Sequence, residues 1–242
     1  MSRGLCAYAI TRDHTLDPAS PVDVRLLRHA GLALVVDEVD LEPFAELDTR
    51  RWKVTPNEDD PLVMLARRHD VVVRAFFERH PVLPLRFGTT LADDAAALRL
   101  LADHNEEART WFTQVEGHRE WAVRARLPHP GKPAELPAER LSAADSLAVR
   151  RDRLAAAARM RREGLAAADA LHHALSQRAT DSVRRPRMSA VPLLDAAYLV
   201  RADAEPAFRA EAECHRELEV EVTGPWPPYS FVRLGLPEPV GR

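Results

Sequence analysis

The sequence predicts an α+β protein with two domains, and three observations support this prediction. A chain of 242 residues is long enough for two modest domains and can bury roughly 70% of its unfolded surface without a disulfide or a metal. Short apolar runs typical of strands are interspersed with stretches whose apolar residues recur every three or four positions. The second half has the order β-α-β-β-α-β, which is the ferredoxin-like arrangement. We therefore expect an N-terminal α+β domain over residues 1–117 and a C-terminal ferredoxin-like domain over residues 118–242.

The predicted elements of the first domain follow from apolar spacing and from end signals. Pro61 suits the first turn of a helix, and Asp93 suits an N-cap because its carboxylate can accept from a free backbone N–H. Gly117 is expected to end the last helix of this domain. The elements are strands over 5–10 and 32–39, a helix from 61 to about 80, an extended segment over 82–87 and one long helix from 93 to 117.

The second domain starts with an alternating strand over 121–127 and contains a long helical stretch over 139–179. A single helix of that length is unusual, so we expect either a break near Gly164 or a helical arm that projects from the domain. The remaining elements are strands over 182–188, 194–201 and 217–222, with a short helix over 205–216.

Charges on the first and last of these strands support the ferredoxin-like order. In that fold the two strands are antiparallel neighbours. Arg124 and Arg126 point outward from the first strand, and Glu219 and Glu221 point outward from the last. Opposite charges across a strand pair favour the pairing by a few tenths of a kcal/mol.

The C-terminal ribbon, residues 223–232, has an unusual composition. Pro225, Pro227 and Pro228 exclude a helix or a central strand and favour a stiff extended segment. Such a segment presents Trp226, Tyr229 and Phe231 as aromatic anchors. We expect most of this aromatic surface to pack against the C-terminal domain, and the alternative is a docking edge for a partner.

Three motifs together carry a resemblance that spans nearly the whole chain. A strand with Tyr8 and a helical His69 also agree with it. The motifs are Val82-Leu83-Pro84-Leu85-Arg86-Phe87-Gly88-Thr89, Ala196-Ala197-Tyr198-Leu199-Val200 and Gly224-Pro225-Trp226-Pro227-Pro228-Tyr229-Ser230-Phe231. On these residues the chain resembles the gas vesicle protein family GvpF/GvpL.

The resemblance implies a two-domain α+β protein with a ferredoxin-related C-terminal domain. It also implies a non-enzymatic accessory or minor structural protein that is needed to assemble the gas vesicle shell. The implied partners are the main shell protein and other gas vesicle proteins, and the implied location is the gas vesicle in the cytoplasm. Arg86, Trp226, Tyr229 and Phe231 are then the candidate partner-contact or structural residues.

The residues themselves indicate no catalytic, cofactor or metal site. The loop after Arg86 lacks the phosphate-binding pattern with its lysine, so a structural turn with Gly88 at an unusual dihedral angle and Arg86 paired to a carboxylate is favoured. His69 lies on the apolar face of its helix, where a hydrogen-bonded core histidine is expected. His172 and His173 are adjacent and point about 100° apart, so they do not form a chelating pair.

Composition excludes several other classes. The formal charge of −3 does not favour nucleic acid binding, and no apolar run approaches the ~20 residues of a membrane span. Cys6 and Cys214 are expected to be reduced thiols in different domains. The alternative function is a ferredoxin-like small-ligand-binding protein or enzyme with a site near Arg86 and His69. That alternative requires a concave pocket with convergent polar groups, whereas an assembly role requires a contact surface.

Overall fold

The computed structural model describes residues 3–13, 22–45, 59–128, 143–186 and 192–235. The chain combines helices with antiparallel sheets, which confirms the predicted α+β class. It divides into two compact units. The first unit contains residues up to 119 together with those from 226 onward, and the second contains residues 120–225.

This division corrects one part of the predicted domain organisation. The sequence placed the whole C-terminal ribbon in the second domain, but the chain from Trp226 onward belongs to the first unit. The physical reason is that Phe231 is buried there and accepts a hydrogen bond from Trp111 of the same unit. Whether each unit folds independently stays a prediction.

The first unit is built around a five-stranded sheet in which β1 is central. Strand β1 pairs antiparallel with β3, β4 and β5, and β2 pairs with the outer edge of β3. Residues 4–11 of β1 are all buried, as expected for a strand without polar alternation. Its strands are β1 (Arg3–Arg12), β2 (Arg25–His29), β3 (Leu32–Asp40), β4 (Val82–Pro84) and β5 (Thr90–Leu91).

Among the described residues, four helices complete the first unit, and two of them begin at an aspartate N-cap, of which the sequence predicted Asp93. The Asp60 carboxylate accepts from Leu62 N at 2.9 Å, and the Asp93 carboxylate accepts from Ala96 N at 2.7 Å. Helix α2 packs against β1 and β4. The helices are α1 (Glu42–Ala45), α2 (Pro61–Phe77), α3 (Asp94–Asp103) and α4 (Asn105–Val115).

The structure differs from the sequence predictions in several places of the first unit. Strand β2 was not predicted; it joins β3 through a turn in which Ala30 and Gly31 both have positive φ, the geometry of a tight hairpin. The helix expected over 93–117 is two helices, separated at His104 with φ −109° and ψ 12°. The extended segment over 82–87 forms a strand only as far as Pro84.

In the part of the second unit that the structure describes, a four-stranded sheet packs against two helices. The strand order is β7-β8-β6-β9, so β9 is an edge strand beside β6. The buried core contains Trp121 and Val123 of β6, Leu171 and Leu175 of α5, and Tyr198 of β8. The elements are β6 (His118–Arg126), α5 (Ala143–Ser176), β7 (Asp181–Arg184), β8 (Leu194–Arg201), α6 (Glu205–Glu213) and β9 (Glu219–Trp226).

Helix α5 is continuous through Gly164, so the expected break does not occur. A Cβ at Gly164 would lie 2.6 Å from Leu127 Cδ2 and 2.8 Å from Leu193 Cδ1. Glycine here permits a close approach of the helix to its neighbours instead of a break. The alternative prediction, a projecting helical arm, fits the exposed side chains at residues 147–163.

The predicted charge pairing between the first and last strands of the second unit holds at one pair of side chains. Arg126 Nε lies 2.7 Å from Glu219 Oε2, across β6 and β9. Arg124 instead pairs with Asp195 of β8 at 3.3 Å. Exposed pairs of this kind contribute ~0–1 kcal/mol each, so they favour the strand order without determining it.

Candidate functional site

The C-terminal ribbon changes structure halfway along its length. Residues 223–226 continue β9, and the edge position of this strand accommodates Pro225. Pro227 and Pro228 are buried, and a single 3₁₀ turn follows over Tyr229–Phe231. The ribbon is therefore an edge strand followed by a tight turn, and the turn lies in the first unit.

The turn is anchored by Phe231, whose side chain is only 4% exposed. Its carbonyl oxygen accepts a hydrogen bond from Trp111 Nε1 at 3.0 Å, and this bond is buried. Tyr229 is half-buried and packs against the core cluster that includes Tyr8, Phe44 and Val72. The aromatics of the turn thus complete the core of the first unit.

Trp226 differs from Phe231 because it remains half-exposed. The guanidinium carbon of Arg74 lies 4.3 Å from the centroid of its ring, a cation–π contact. Arg74 Nε is in turn 2.9 Å from the Asp70 carboxylate on the same helix. Trp226 therefore keeps an accessible surface, as Tyr229 does, and the contact with Arg74 orients its ring.

The segment after Arg86 is a structural turn, as the sequence predicted. Gly88 has φ 88°, and Thr89 Oγ1 donates to the Arg86 carbonyl at 2.7 Å. The Thr89 carbonyl also accepts from Ala7 N at 2.9 Å, which ties the turn to β1. The Arg86 side chain is exposed. Its pairing with a carboxylate stays a prediction.

His69 is a core residue, which also confirms the prediction. It is 4% exposed, and its Nε2 lies 3.1 Å from the Leu85 carbonyl oxygen. The rings of Tyr8 and Phe87 lie 5.4 and 5.7 Å from the imidazole. Burial lowers the pKa of His69 to about 4. The imidazole is therefore neutral at pH 7 and donates its Nε2 proton to Leu85.

A polar group lies next to this histidine and is structural as well. Tyr8 Oη donates to Asp37 Oδ2 at 3.3 Å, and Arg68 bonds the same carboxylate. Burial raises the pKa of Tyr8, and it raises the pKa of the neighbouring Cys6 thiol to about 12. A thiol with such a pKa is protonated and a poor nucleophile at neutral pH. Both Cys6 and Cys214 are free.

The second unit contains a histidine contact that the sequence analysis did not find. His172 Nδ1 lies 2.7 Å from Tyr198 Oη, and Tyr198 is fully buried. Burial, and next the charge of Arg184, lower the pKa of His172. The partner comes from a strand 26 residues further along the chain, so local sequence gives no signal of it. The pair satisfies the buried phenol.

An open cavity of about 640 Å³ lies on the sheet of the second unit. Its charged lining also includes Glu221, and the other four charged residues form two pairs, Arg126 with Glu219 and Arg124 with Asp195. Neither His69 nor Arg86, the residues of the predicted alternative site, lines it. The cavity is therefore not the predicted site near Arg86 and His69.

Within the described ranges, no cluster of three or more His, Cys, Asp or Glu residues could hold a metal ion. Nor does any described helix have the length and hydropathy to span a membrane.

Comparisons with known proteins agree with the fold and with the motifs. The model of the family "Gas vesicle synthesis protein GvpL/GvpF" matches residues 4–233. Gas vesicle protein L of Streptomyces sp. strain CB03234 is 35% identical over 227 residues, which cover 87% of this chain and 83% of that protein. Gas vesicle protein F2 of Halobacterium salinarum is 26% identical over 175 residues, covering 69% and 68% of the two chains.

Two crystal structures have a similar fold. Gas vesicle protein GvpF from Anabaena sp. PCC7120 superposes with a TM-score of 0.65 at 18% identity, covering 97% of this chain and 100% of that one. GvpF from Microcystis aeruginosa superposes with a TM-score of 0.63 at 17% identity, with 96% and 99% coverage. The family match spans nearly the whole sequence and both units, so the chain belongs to the GvpL/GvpF family of gas vesicle synthesis proteins.

Proposed function

We propose that this protein is a non-enzymatic accessory or minor structural component of gas vesicles in the cytoplasm. It supports assembly of the shell by contacts with the main shell protein and with other gas vesicle proteins. The observation that carries this proposal is the family match over residues 4–233, which includes both units and the C-terminal ribbon.

The environments of the polar residues favour a contact role over a catalytic one. His69 is buried and bonded to a carbonyl, and the thiol of Cys6 has a raised pKa. A general base or nucleophile instead needs a matched pKa and access to a substrate. The alternative, a small-ligand-binding protein or enzyme with a site near Arg86 and His69, has no such group to use there.

Exposed apolar side chains give the contact role a physical basis. Met64 and Val71 on α2, and Leu147 and Leu154 on α5, are each more than half exposed. Subunits of a shell expose apolar surface before they assemble, and a partner that covers this surface suppresses aggregation. A protein with such surfaces on both units is suited to that task.

The second unit is assigned a ferredoxin-like topology as part of this proposal. Its elements follow the order β-α-β-β-α-β, and its sheet has the order β7-β8-β6-β9. In the ferredoxin-like fold the first and third strands are central and the last lies beside the first, which fits this sheet.

The candidate contact or structural residues divide into two roles in this proposal. Phe231 and the turn after Arg86 are structural, because one is buried and the other is tied to β1 by hydrogen bonds. Trp226 and Tyr229 are half-exposed and are the candidate partner contacts.

The test is a clean deletion of the gene in a gas-vesicle-forming host without a second member of the family. Electron microscopy should show absent or deformed vesicles, and the wild-type gene on a plasmid should restore them. The purified protein should also retain the main shell protein in a pull-down. Normal vesicles in the deletion strain would refute the assembly role, and turnover of a small molecule by the purified protein would favour the enzyme.

A further inference from the structure

Helix α5 consists of two parts that differ in exposure. From Gly164 onward it packs in the second unit, with Ala168, Leu171 and Leu175 buried. Residues 147–163, here called the arm, are exposed at every position. The arm is about 25 Å long at 1.5 Å per residue. Its alanines and arginines are strong helix formers, so it can stay helical without a packed face.

A narrow apolar line runs along the arm and is called the arm seam. It consists of Leu147, Leu154 and Ala158, which are seven and four residues apart and occupy about 40° of the helix circumference. Leu147 is 68% exposed and Leu154 is 64% exposed. The seam is turned by roughly 90° from the buried face of the same helix, so it does not simply continue that face.

Arginines border the arm seam on both sides. Arg150 and Arg151 follow Leu147 by three and four residues, and Arg161 and Arg162 follow Ala158 in the same way. The arm contains six arginines against two acidic residues, a net charge of +4. Leucines seven residues apart with charges on each side are the pattern of a helix that pairs with another helix, where the flanking charges select the partner.

The charges distinguish between possible occupants of the arm seam. A second copy of the arm would place arginines against arginines, so like-charge repulsion opposes self-pairing. A helix that lies on a membrane needs a broad apolar face with its cations opposite, whereas here arginines lie roughly 50° from the seam on each side. A helix with its own leucine seam and flanking glutamates satisfies both the apolar line and the arginines.

We propose that the arm seam is a docking site for an acidic amphipathic helix of another gas vesicle protein. This inference rests on the proposed function and adds the place of contact and the chemistry of the partner. Apolar contacts hold the two helices together, and arginine–glutamate pairs across the seam determine which helix is accepted.

The test uses the full-length protein and two synthetic helical peptides of four heptads. Both peptides have leucine at the core positions; one has glutamate and the other lysine at the flanking positions. Titration calorimetry should show that the glutamate peptide binds at least about tenfold more tightly than the lysine peptide. The affinity should fall with added salt, since exposed charge pairs are screened.

Matched variants separate the arm seam from the rest of the arm. Leu147→Ser/Leu154→Ser and Arg150→Glu/Arg151→Glu should each weaken binding at least about tenfold. Val149→Ser/Met160→Ser and Arg153→Glu/Arg159→Glu make the same kinds of change away from the seam and should alter binding less than about twofold. Each of the four double variants changes two exposed side chains, so its melting temperature should equal that of wild type. An unchanged melting temperature excludes unfolding as the cause of weaker binding.

Other outcomes would overturn the proposal. One is that the glutamate peptide does not bind, and another is that the seam variants and the control variants lose binding equally. Two more are self-association in sedimentation, or binding to vesicles of phosphatidylglycerol and phosphatidylcholine, that the seam variants abolish.

Complementation of the deletion strain distinguishes the two proposals. If wild type and the Leu147→Ser/Leu154→Ser variant both restore vesicles, this inference fails while the assembly role stands; if the deletion strain forms normal vesicles, the assembly role fails.

Discussion

The chemistry of His69 illustrates how burial determines the behaviour of a single residue. Almost complete burial favours the neutral imidazole, and the hydrogen bond to the Leu85 carbonyl opposes this effect only in part. Its pKa in the folded protein is about 4, against an ordinary value of 6.5. The unfolded chain therefore binds a proton at a pH where the folded chain does not.

This difference predicts an acid-sensitive first unit. Stability from neutral His69 is present above pH 6.5 and is lost as the pH falls from 6.5 towards 4. At pH 5 the loss is about 2 kcal/mol, since one pKa unit corresponds to about 1.4 kcal/mol. The variant His69→Gln keeps a donor for Leu85 but does not titrate. Denaturant melts should show that the free energies of unfolding of wild type and this variant converge as the pH is lowered from 7 to 5. A constant difference between them would contradict the pKa assignment.

The ribbon aromatics should differ in their contribution to stability. Phe231→Ala removes a buried ring and is expected to cost ~3–5 kcal/mol. Trp226→Ala removes a half-exposed ring and one cation–π contact, so ~1–2 kcal/mol is expected. Urea melts of the full-length variants measure both, and Trp226→Phe should recover most of the loss at that position. A larger cost at Trp226 than at Phe231 would show that the anchor has been misassigned.

Sequence alone could predict the local environment of some residues but not their partners. The turn after Arg86 and the core position of His69 followed from glycine and from helical spacing. The bonds of His69 to Leu85 and of His172 to Tyr198 depend on segments far apart in the chain, so no local pattern encodes them. The sequence also showed that the ribbon is rich in aromatic residues, whereas the different exposures of Trp226 and Phe231 depend on tertiary packing.

Among the elements, the predicted cap at Asp93 and the predicted helix start at Pro61 are both confirmed, and Asp60 is a cap that was not predicted. Both Asp60 and Asp93 accept from backbone N–H groups in the first turn of a helix. The strand β2 was missed, and so was the break at His104, because the polar run over residues 103–107 also fits the exposed surface of one continuous helix. At Gly164 a helix break was predicted but does not occur. Glycine weakens helices in general, and here its missing side chain permits close packing.

The cap at Asp93 gives a prediction for helix α3. Asp93→Ala removes the acceptor of the 2.7 Å bond from Ala96 N and should destabilise the first unit by about 1 kcal/mol. Asp93→Asn keeps a side-chain oxygen and should cost at most a few tenths of a kcal/mol. Chemical denaturation monitored by circular dichroism measures both. If the two variants are equally destabilised, the negative charge matters more than the hydrogen bond.

At the scale of the whole molecule, the sequence predicted two units and a boundary near residue 118 but assigned the end of the chain to the wrong unit. The strand β9 belongs to the second sheet, and a proline-rich continuation of it was expected to stay there. The first unit instead offers Trp111 as a hydrogen-bond donor and an apolar cluster beside Tyr229. Such complementarity between segments 120 residues apart is not visible in the order of residues.

This assignment leads to a prediction about two fragments that share their first residue. Fragment 118–225 contains every strand of the second sheet except the last residue of β9, and it should be monomeric and melt cooperatively. Fragment 118–242 carries in addition Trp226, Tyr229 and Phe231 without the first-unit residues that bury them, so it should self-associate. Sedimentation velocity and thermal melts of both fragments provide the measurement. Replacing the three aromatics by serine in 118–242 should restore the monomer, because only their apolar surface is removed. A monomeric 118–242 fragment that melts at a higher temperature than 118–225 would instead show that the ribbon stabilises the second unit.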